Sequence, residues 1–242
     1  METKRIAILF SGNGSNLEAL IKSLHKKCFL PSKRPENIKQ STIGGFLIGD
    51  VLIEGFLIGG LAHTFKLIEP DCAKGKHSNK AFKVEVVLAL SNKSDAFGLT
   101  RAKRLGIATE VIENAGKTRE EFDAQLITTL QEFKLDLCVL AGFMRILTPI
   151  FTQKIRAINI HPSLLPLFKG AHGILESYNS PMRLGGVSVH YVSEELDSGE
   201  IIAQGAITKI AGESLESYEA RIHKLEHTLY PLALLEALTR KK

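Results

Sequence analysis

The chain contains too few cysteines to form a disulfide framework. Its 242 residues include only Cys28, Cys72 and Cys138, an odd number spread widely along the sequence. Small secreted domains that depend on disulfides carry more cysteines at closer spacing. The cysteine content therefore excludes that class and is typical of a reducing compartment, so we expect a cytoplasmic protein.

Aromatic residues are also scarce, at 7% of the chain, and the lysines and arginines are dispersed. Binding of single-stranded nucleic acid needs aromatic side chains that stack beside a basic groove. We therefore expect no nucleic-acid partner and interpret the net charge of +5 as suited to small anionic ligands.

The eight histidines show no spacing typical of metal ligands, and no apolar signal segment precedes the first strand. Neither a metal nor a targeting segment is predicted.

Apolar strands alternate with helical patterns along most of the sequence. Strands are predicted near residues 5–10, 83–91, 108–112, 135–141 and 156–161, and helices near 15–27, 95–105 and 118–133. This alternation predicts an α/β protein with a doubly wound, mostly parallel sheet. A further strand pair at 186–192 and 200–210, with at least one antiparallel member, and a closing helix at about 214–239 follow.

Asn159 and His161 lie at the end of a predicted buried strand over residues 155–160. Side chains two residues apart on a strand point to one face, so the amide and the imidazole can address the same volume. Pro162 stops strand pairing directly after them. The pattern predicts a site at the carboxyl end of the strand; a turn-capping asparagine beside a surface histidine is the alternative.

The first predicted strand runs into the turn Ser-Gly-Asn-Gly-Ser-Asn at residues 11–16 and then into a helix. Backbone N–H groups at a helix start hold anions, most often phosphate. The turn lacks the third glycine of the dinucleotide fingerprint and the Lys-Ser/Thr ending of a P-loop. It predicts a phosphate site, with an ordinary capped helix as the alternative.

Two further segments are less specific when taken alone. The apolar run 135–141 ends at Gly142, beyond which residues 144–147 could wall an apolar slot. Asp197 lies in Leu-Asp-Ser-Gly, which is typical of an ordinary turn. The order of the four segments is more informative than any one of them.

The four motifs are the turn at 11–16, Ala-Gly-Phe-Met-Arg-Ile-Leu at 141–147, Asn-Ile-His-Pro-Ser-Leu-Leu-Pro at 159–166 and Glu-Leu-Asp-Ser-Gly at 195–199. Together they resemble the family of phosphoribosylglycinamide formyltransferases. The resemblance implies one Rossmann-like formyltransferase domain over residues 1–242. It also implies an enzyme of purine biosynthesis that moves a formyl group to glycinamide ribonucleotide from 10-formyltetrahydrofolate, a co-substrate, without a metal.

The resemblance implies roles for particular residues. Asn159, His161 and Asp197 match the catalytic positions, with Asp197 as the carboxylate that raises the basicity of the histidine. The expected nucleotide-binding residues are Gly14, Ser15, Asn16 and Glu226. The expected folate-binding residues are Arg119, Met144, Arg145, Ile146, Leu147 and Asn159. For Glu226, a solvated position on a helix face is the alternative.

The chemistry of the reaction is consistent with the same roles. Formyl transfer between two nitrogens needs donors for the tetrahedral oxyanion and a route for a proton, but no side-chain nucleophile. Asn159 and a protonated His161 can supply the donors, and a nearby carboxylate favours the charged imidazole. Cys138 lies inside an apolar strand and Ser163 has no evident base, so direct transfer is preferred to an acyl-enzyme route.

Other activities on the same scaffold are alternatives. A formyltetrahydrofolate hydrolase and the formyltransferase for initiator methionyl-tRNA normally carry an additional domain, for which we expect no room in this chain. A non-catalytic sensor of folate or nucleotide is the alternative from another class. The presence of Asn159, His161 and Asp197 argues against the sensor.

An insertion at about residues 30–80 departs from the family pattern. It contains Gly-Phe-Leu-Ile-Gly twice, at 45–49 and 55–59. The segment 43–62 is long enough to span a bilayer, but Asp50 and Glu54 near its middle would be costly in lipid, so no membrane span is expected. We expect a glycine-punctuated subdomain or subunit contact with an exposed apolar face, which would favour a homo-oligomer.

Overall fold

The computed structural model describes residues 1–33, 51–53, 56–69 and 80–240. Eleven strands and six helices lie within these residues. The strands are β1 (Glu2–Phe10), β2 (Cys28–Lys33), β3 (Val51–Ile53), β4 (Phe56–Gly59), β5 (His63–Ile68), β6 (Phe82–Ser91), β7 (Thr109–Val111), β8 (Leu137–Leu140), β9 (Ala157–His161), β10 (Leu184–Tyr191) and β11 (Ile201–Thr208). The helices are α1 (Ser15–Leu24), α2 (Phe97–Arg104), α3 (Arg119–Glu132), α4 (Pro149–Lys154), α5 (Gly173–Asn179) and α6 (Leu215–Thr239).

The described strands form one sheet in the order β3-β4-β11-β10-β9-β8-β1-β6-β2-β5, with β7 beside β6. Strand β1 pairs in parallel with β6 and β8, and β8 pairs in parallel with β9. Strand β10 runs antiparallel to both β9 and β11. The prediction of a doubly wound α/β sheet is confirmed, with parallel pairing in the centre and antiparallel pairing towards both edges.

Helices cover both faces of the sheet, and the side chains of β1 show how. Ile6, Ile8 and Phe10 pack in one apolar core with α1, α2 and α6, whereas Ala7 and Leu9 pack in a second core with α3 and α4. All five side chains are fully buried. A central strand that is buried on both faces must be apolar throughout, which explains the continuous apolar run in the sequence.

The parallel strands bring the sequence motifs to one edge of the fold. Strand β1 ends before the turn at 11–16, β8 ends before Gly142, and β9 ends at His161. The buried Tyr230 hydroxyl on α6 donates to the carbonyl of Leu140 at 2.6 Å and also lies 3.3 Å from that of Ile158. Ligands of doubly wound sheets bind beyond the carboxyl ends of the strands, so this edge is where a site is expected.

Part of the insertion belongs to the sheet itself. Strand β4 pairs with β11 and β5 pairs with β2, towards the opposite edge, and only residues 60–62 lie between β4 and β5. We call residues 56–68 the bridging segment. Ile58 and Leu61 are buried in the core that contains the α6 side chains. The prediction of an exposed apolar face is therefore wrong for Ile58 and Leu61. Pairing of β4 with β11 turns the side chain of Ile58 towards the core.

The remaining expectations for the insertion are only partly addressed by the described residues. The first Gly-Phe-Leu-Ile-Gly copy, at 45–49, lies outside them, and the second copy forms β4 apart from Gly55, which is also outside. Among the residues described, no helix is long and apolar enough to cross a membrane. A homo-oligomer stays a prediction.

A buried carboxylate fastens the bridging segment to α6. Glu236 is fully buried and accepts a hydrogen bond from the backbone N–H of His63 at 3.1 Å. Its carboxylate also lies 3.2 Å from Nδ1 of His63 and 3.4 Å from Nε of Arg240. A buried carboxylate is tolerated only when donors surround it, so these contacts depend on one another.

We expect Glu236→Ala to lower the free energy of unfolding by about 2–4 kcal/mol, because the His63 backbone N–H and the Nε of Arg240 both lose their acceptor. His63→Ala should cost less, since it retains the backbone N–H. Urea unfolding followed by circular dichroism measures both. Glu200, the exposed partner of Arg240 at 3.0 Å, provides the control, because Glu200→Ala removes only a surface ion pair. Equal losses for Glu236→Ala and Glu200→Ala would contradict the assigned role of Glu236.

Candidate active site

Strand β9 presents Asn159 and His161 two residues apart at the carboxyl edge of the sheet. The antiparallel register places Asn159 opposite His190 and His161 opposite Ser188 of β10. Asn159 is half-buried, whereas His161 is buried. The predicted juxtaposition of the amide and the imidazole is therefore present in the fold.

Asp197 lies between two histidines. Its Oδ2 atom is 3.4 Å from Nδ1 of His161, and its Oδ1 atom is 3.5 Å from Nε2 of His190. Oδ2 also accepts a hydrogen bond of 2.9 Å from the backbone N–H of Gly170. Asp197 has a φ of 51°, a left-handed conformation that aspartate tolerates better than most residues. The left-handed backbone of the Leu-Asp-Ser-Gly turn thus points the Asp197 carboxylate towards the two histidines.

The surroundings of Asp197 keep it ionised. Burial by itself raises the pKa of the carboxyl group, but the hydrogen bond with His190, the Gly170 N–H and the charges of His161 and His190 act in the opposite direction. The second group of effects is larger, and the pKa lies below the ordinary value of 3.8. Asp197 is therefore an anion at neutral pH.

The other ring nitrogen of His161 is covered by the segment that follows β9. Nε2 lies 2.7 Å from the carbonyl oxygen of Phe168, a residue in the left-handed conformation with a φ of 55°. Gly173 packs against the same ring, since a Cβ at that position would lie 3.0 Å from Nε2. Both nitrogens of His161 thus face oxygen acceptors, and only the doubly protonated imidazole can donate to both.

His190 connects Asn159 to Asp197, and sequence reasoning missed it. Its Nδ1 atom lies 2.9 Å from the carbonyl of Tyr191, which can only accept, so Nδ1 carries a proton. Nε2 lies 3.3 Å from the Asn159 amide nitrogen and 3.5 Å from Oδ1 of Asp197, so this one ring atom contacts both side chains. The available signal was the alternation of the polar Ser188 and His190 with apolar valines on β10, which indicates one polar face on a buried strand.

A cleft opens beside this cluster, between the end of β8 and the turn at 193–197. The lining residues are Leu140, Phe143, Arg145, Ile146, Leu147, Asn159, His190, Val192, Ser193, Glu194, Glu195, Leu196 and Asp197. Most of the predicted folate-binding residues therefore line it. Two do not: Met144 is 70% exposed, and Arg119 is the exposed first residue of α3.

Arg145 has an unusual environment within the cleft. Its guanidinium lies 4.7 Å from the centre of the Phe122 ring, and its Nε atom is buried without a hydrogen-bond partner. The described residues contain no group of three or more histidine, cysteine, aspartate or glutamate side chains arranged to hold a metal ion. The polar side chains that line the cleft are Arg145, Asn159, His190, Ser193, Glu194, Glu195 and Asp197.

The glycine-rich turn leads directly into α1. Gly14 occupies the N-cap position with a φ of 76°, and no side chain caps the first turn, so its N–H groups are available to an anion. The Asn16 amide donates to Glu226 at 3.0 Å, and Nδ1 of His223 lies 2.8 Å from the same carboxylate oxygen. The hydrogen bond with Glu226 is the main cause that raises the pKa of His223. Glu226 is only 4% exposed, so its alternative as a solvated helix-face charge is excluded.

Ser11 joins the turn to the wall of the cleft. Its backbone N–H donates to the carbonyl of Gly142 at 3.0 Å, and its hydroxyl accepts from the N–H of Met144 at 2.7 Å. The same hydroxyl donates to Asn92 Oδ1 at 2.6 Å. The predicted phosphate turn and the predicted folate segment are therefore one hydrogen-bonded unit.

The lowered pKa of Asp197 makes its contribution to stability depend on pH. The contribution is fully present above the ordinary pKa of 3.8 and is lost as the pH falls through the lower native-state value. We therefore expect the stability of the wild type relative to Asp197→Asn to decline below about pH 4. Urea unfolding at a series of pH values measures this difference. Glu194→Gln, which alters another exposed carboxylate in the same turn, is the control and should show a much smaller pH-dependent difference. A constant difference for Asp197→Asn would contradict the ionised contacts.

Known proteins share this sequence and fold. The formyl transferase family matches residues 55–234. The phosphoribosylglycinamide formyltransferase of Escherichia coli is 40% identical over 181 residues, which are 74% of this chain and 83% of that protein. The trifunctional purine biosynthetic protein adenosine-3 of Homo sapiens is 34% identical over 95% of this chain, which spans only 18% of that protein.

Solved structures agree with these sequence comparisons. The crystal structure of phosphoribosylglycinamide formyltransferase from Campylobacter jejuni matches with a TM-score of 0.73 and 46% identity, over 97% of both chains. The match extends over nearly the whole fold, including the elements that carry the site. The chain therefore belongs to the formyl transferase family and, within it, to the phosphoribosylglycinamide formyltransferases.

Proposed function

We propose that the protein transfers a formyl group from 10-formyltetrahydrofolate to the amine of glycinamide ribonucleotide, directly from nitrogen to nitrogen. The observation that carries the proposal is the continuous series of contacts from Asn159 through His190 and Asp197 to His161. This series borders the cleft on one side of the carboxyl edge of the sheet. We assign the acceptor from the names of the relatives, which are a phosphoribosylglycinamide formyltransferase and a trifunctional purine biosynthetic protein.

The cleft is the proposed site of the formyl folate. A pterin is flat, largely apolar and rimmed by hydrogen-bonding groups, and the walls combine Phe143, Ile146 and Leu147 with the backbone of the same segment. Pockets for such ligands are mostly apolar with a few placed polar groups. The side chain of Met144 is exposed, and its backbone N–H supports the wall of the cleft indirectly by donating to Ser11. The exposed Arg119 remains a proposed contact for the anionic tail of the folate.

The turn before α1 is the proposed site of the ribonucleotide phosphate. The N–H groups of Gly14, Ser15 and Asn16 begin the helix and coincide with the positive end of its dipole. Glu226 is held beside the turn by Asn16, and a carboxylate that accepts hydrogen bonds suits the hydroxyl groups of a ribose. The +5 net charge of the chain favours the approach of both anionic substrates.

The amine of the acceptor attacks the formyl carbon, a bond forms between them, and the carbonyl oxygen becomes an oxyanion. Asn159 donates to this oxyanion through its amide N–H, and the protonated His161 is a second donor. The acceptor nitrogen then loses a proton and N10 of the folate gains one as the bond between N10 and carbon breaks. In our proposal the protonated His161 gives its proton to N10, and the resulting neutral imidazole takes up the proton that the acceptor nitrogen loses, so His161 ends in its starting state. The anionic Asp197 balances the charge of the imidazolium.

Transfer also requires a change at Nε2 of His161. In this structure Nε2 contacts the Phe168 carbonyl, and His161 does not line the cleft. We infer that the Phe168 carbonyl releases this nitrogen when both substrates are bound. The contact between Nδ1 and Asp197 can persist throughout, so the imidazole keeps its orientation while Nε2 changes its partner from the Phe168 carbonyl to the substrates.

Incubation of the protein with 10-formyltetrahydrofolate, with and without glycinamide ribonucleotide, tests the function. We expect tetrahydrofolate to appear only with the acceptor and in a one-to-one ratio with the formylated nucleotide. Release of formate without the acceptor would instead show a hydrolase. Binding of the folate without any release would show a sensor.

We expect His161→Ala to lower kcat at least about a hundredfold, because it removes the proposed proton carrier, with little change in the KM for the nucleotide. Asp197→Asn should also lower kcat. Since Asp197 acts through His161, adding Asp197→Asn to His161→Ala should cost little more. Steady-state kinetics of the two single variants and the double variant measure the coupling. Simple additivity would indicate that the two residues act independently.

A further inference from the structure

The conformation of the glycine-rich turn is imposed largely by α2, an element that sequence reasoning did not connect with the site. The carbonyl of Gly12 accepts a hydrogen bond from the N–H of Gly98 at 3.1 Å. A Cβ on Gly14 would lie 2.6 Å from the Cα of Gly98, and a Cβ on Gly98 would lie 2.4 Å from the Phe10 ring. Both glycines are therefore required by the close approach of α2 to the turn.

Arg101 of α2 binds Asn13, the residue of the turn between Gly12 and Gly14. Its Nε donates to the backbone carbonyl of Asn13 at 3.0 Å, and its Nη2 donates to Asn13 Oδ1 at 2.8 Å. Nη1 forms an ion pair with Glu18 on α1, and the guanidinium lies 5.0 Å from the centre of the Phe97 ring. All three guanidinium nitrogens are thus in use, and the plane of the group is fixed.

We infer that Arg101 is a positioning residue for nucleotide binding, and this inference rests on the proposed function. By fixing both the backbone and the side chain of Asn13, Arg101 sets the path of the chain into Gly14 and so the direction of the N–H groups at the start of α1. A preorganised turn binds phosphate without first losing conformational freedom. Glu18 already pairs with Arg101, so the effect is one of geometry rather than of an added positive charge.

Two substitutions at Arg101 separate geometry from charge. Arg101→Met removes all of the contacts, whereas Arg101→Lys keeps the charge but cannot donate to the carbonyl and the side chain of Asn13 in the same fixed plane. We expect both variants to raise the KM for glycinamide ribonucleotide about tenfold to a hundredfold, as for lost hydrogen bonds from a charged donor. The KM for 10-formyltetrahydrofolate and kcat should stay within about twofold of the wild type.

Two controls accompany these variants. Arg104→Met removes an exposed cation from the same helix and should leave all three kinetic constants unchanged. Glu18→Gln removes the ion pair between α1 and α2 but leaves both Asn13 contacts in place, so the nucleotide KM should stay near the wild-type value. Circular dichroism and isothermal calorimetry with the nucleotide extend the measurement to any variant that is too slow to assay.

Several outcomes would overturn the inference. A wild-type nucleotide KM in Arg101→Lys would show that charge suffices, and an equal rise in both KM values would show a general loss of structure. Ser15→Asp provides the comparison, because a carboxylate in the turn should repel the phosphate whatever holds Asn13. If Ser15→Asp weakens nucleotide binding and the Arg101 variants do not, the inference alone fails. If the wild type binds no nucleotide, the proposed function fails with it.

Discussion

Buried carboxylates must find hydrogen-bond donors, and in this protein each described one finds at least one donor on another part of the fold. Asp197 contacts His161, His190 and Gly170. Asp123 of α3 accepts from both the N–H and the hydroxyl of Thr148, just beyond the cleft segment. Leaving a buried carboxylate unpaired costs about 3–5 kcal/mol, a large share of the roughly 5–15 kcal/mol of net stability that a typical domain has. These hydrogen bonds therefore fix the relative positions of the segments that they connect.

Helix α6 carries two more of these carboxylates and so connects the site to the bridging segment. Glu226 faces Asn16 and His223, and Glu236, ten residues further on, faces His63. Between them, the hydroxyl of Tyr230 contacts the ends of β8 and β9. At about 1.5 Å per residue, the three contacts extend over roughly 15 Å of one helix. A single helix thus sets the distance between the glycine-rich turn, the ends of β8 and β9, and the bridging segment.

Much of this arrangement could be predicted from the sequence, because local patterns determined it. The alternation of apolar runs with helices predicted the central sheet, and the motifs that begin at Ala141 and Asn159 lie where the strands β8 and β9 end. His190 could not be predicted in the same way, since its role comes from the register of β10 against β9. Arg101 was equally hidden, because a basic residue near the end of a helix has an ordinary explanation in the helix dipole.

The bridging segment was beyond sequence reasoning for a different reason: short apolar runs between glycines predict neither a partner strand nor a direction. Its course has a consequence for how the sheet opens. Strands at the two sides of an open sheet usually fray independently, each with its own local free energy. Here only residues 60–62 separate a strand on β11 from a strand on β2, and Glu236 holds the connection against α6. We therefore expect opening at one margin to strain the other through these three residues, and the amide hydrogens of the two margins to show similar protection against exchange.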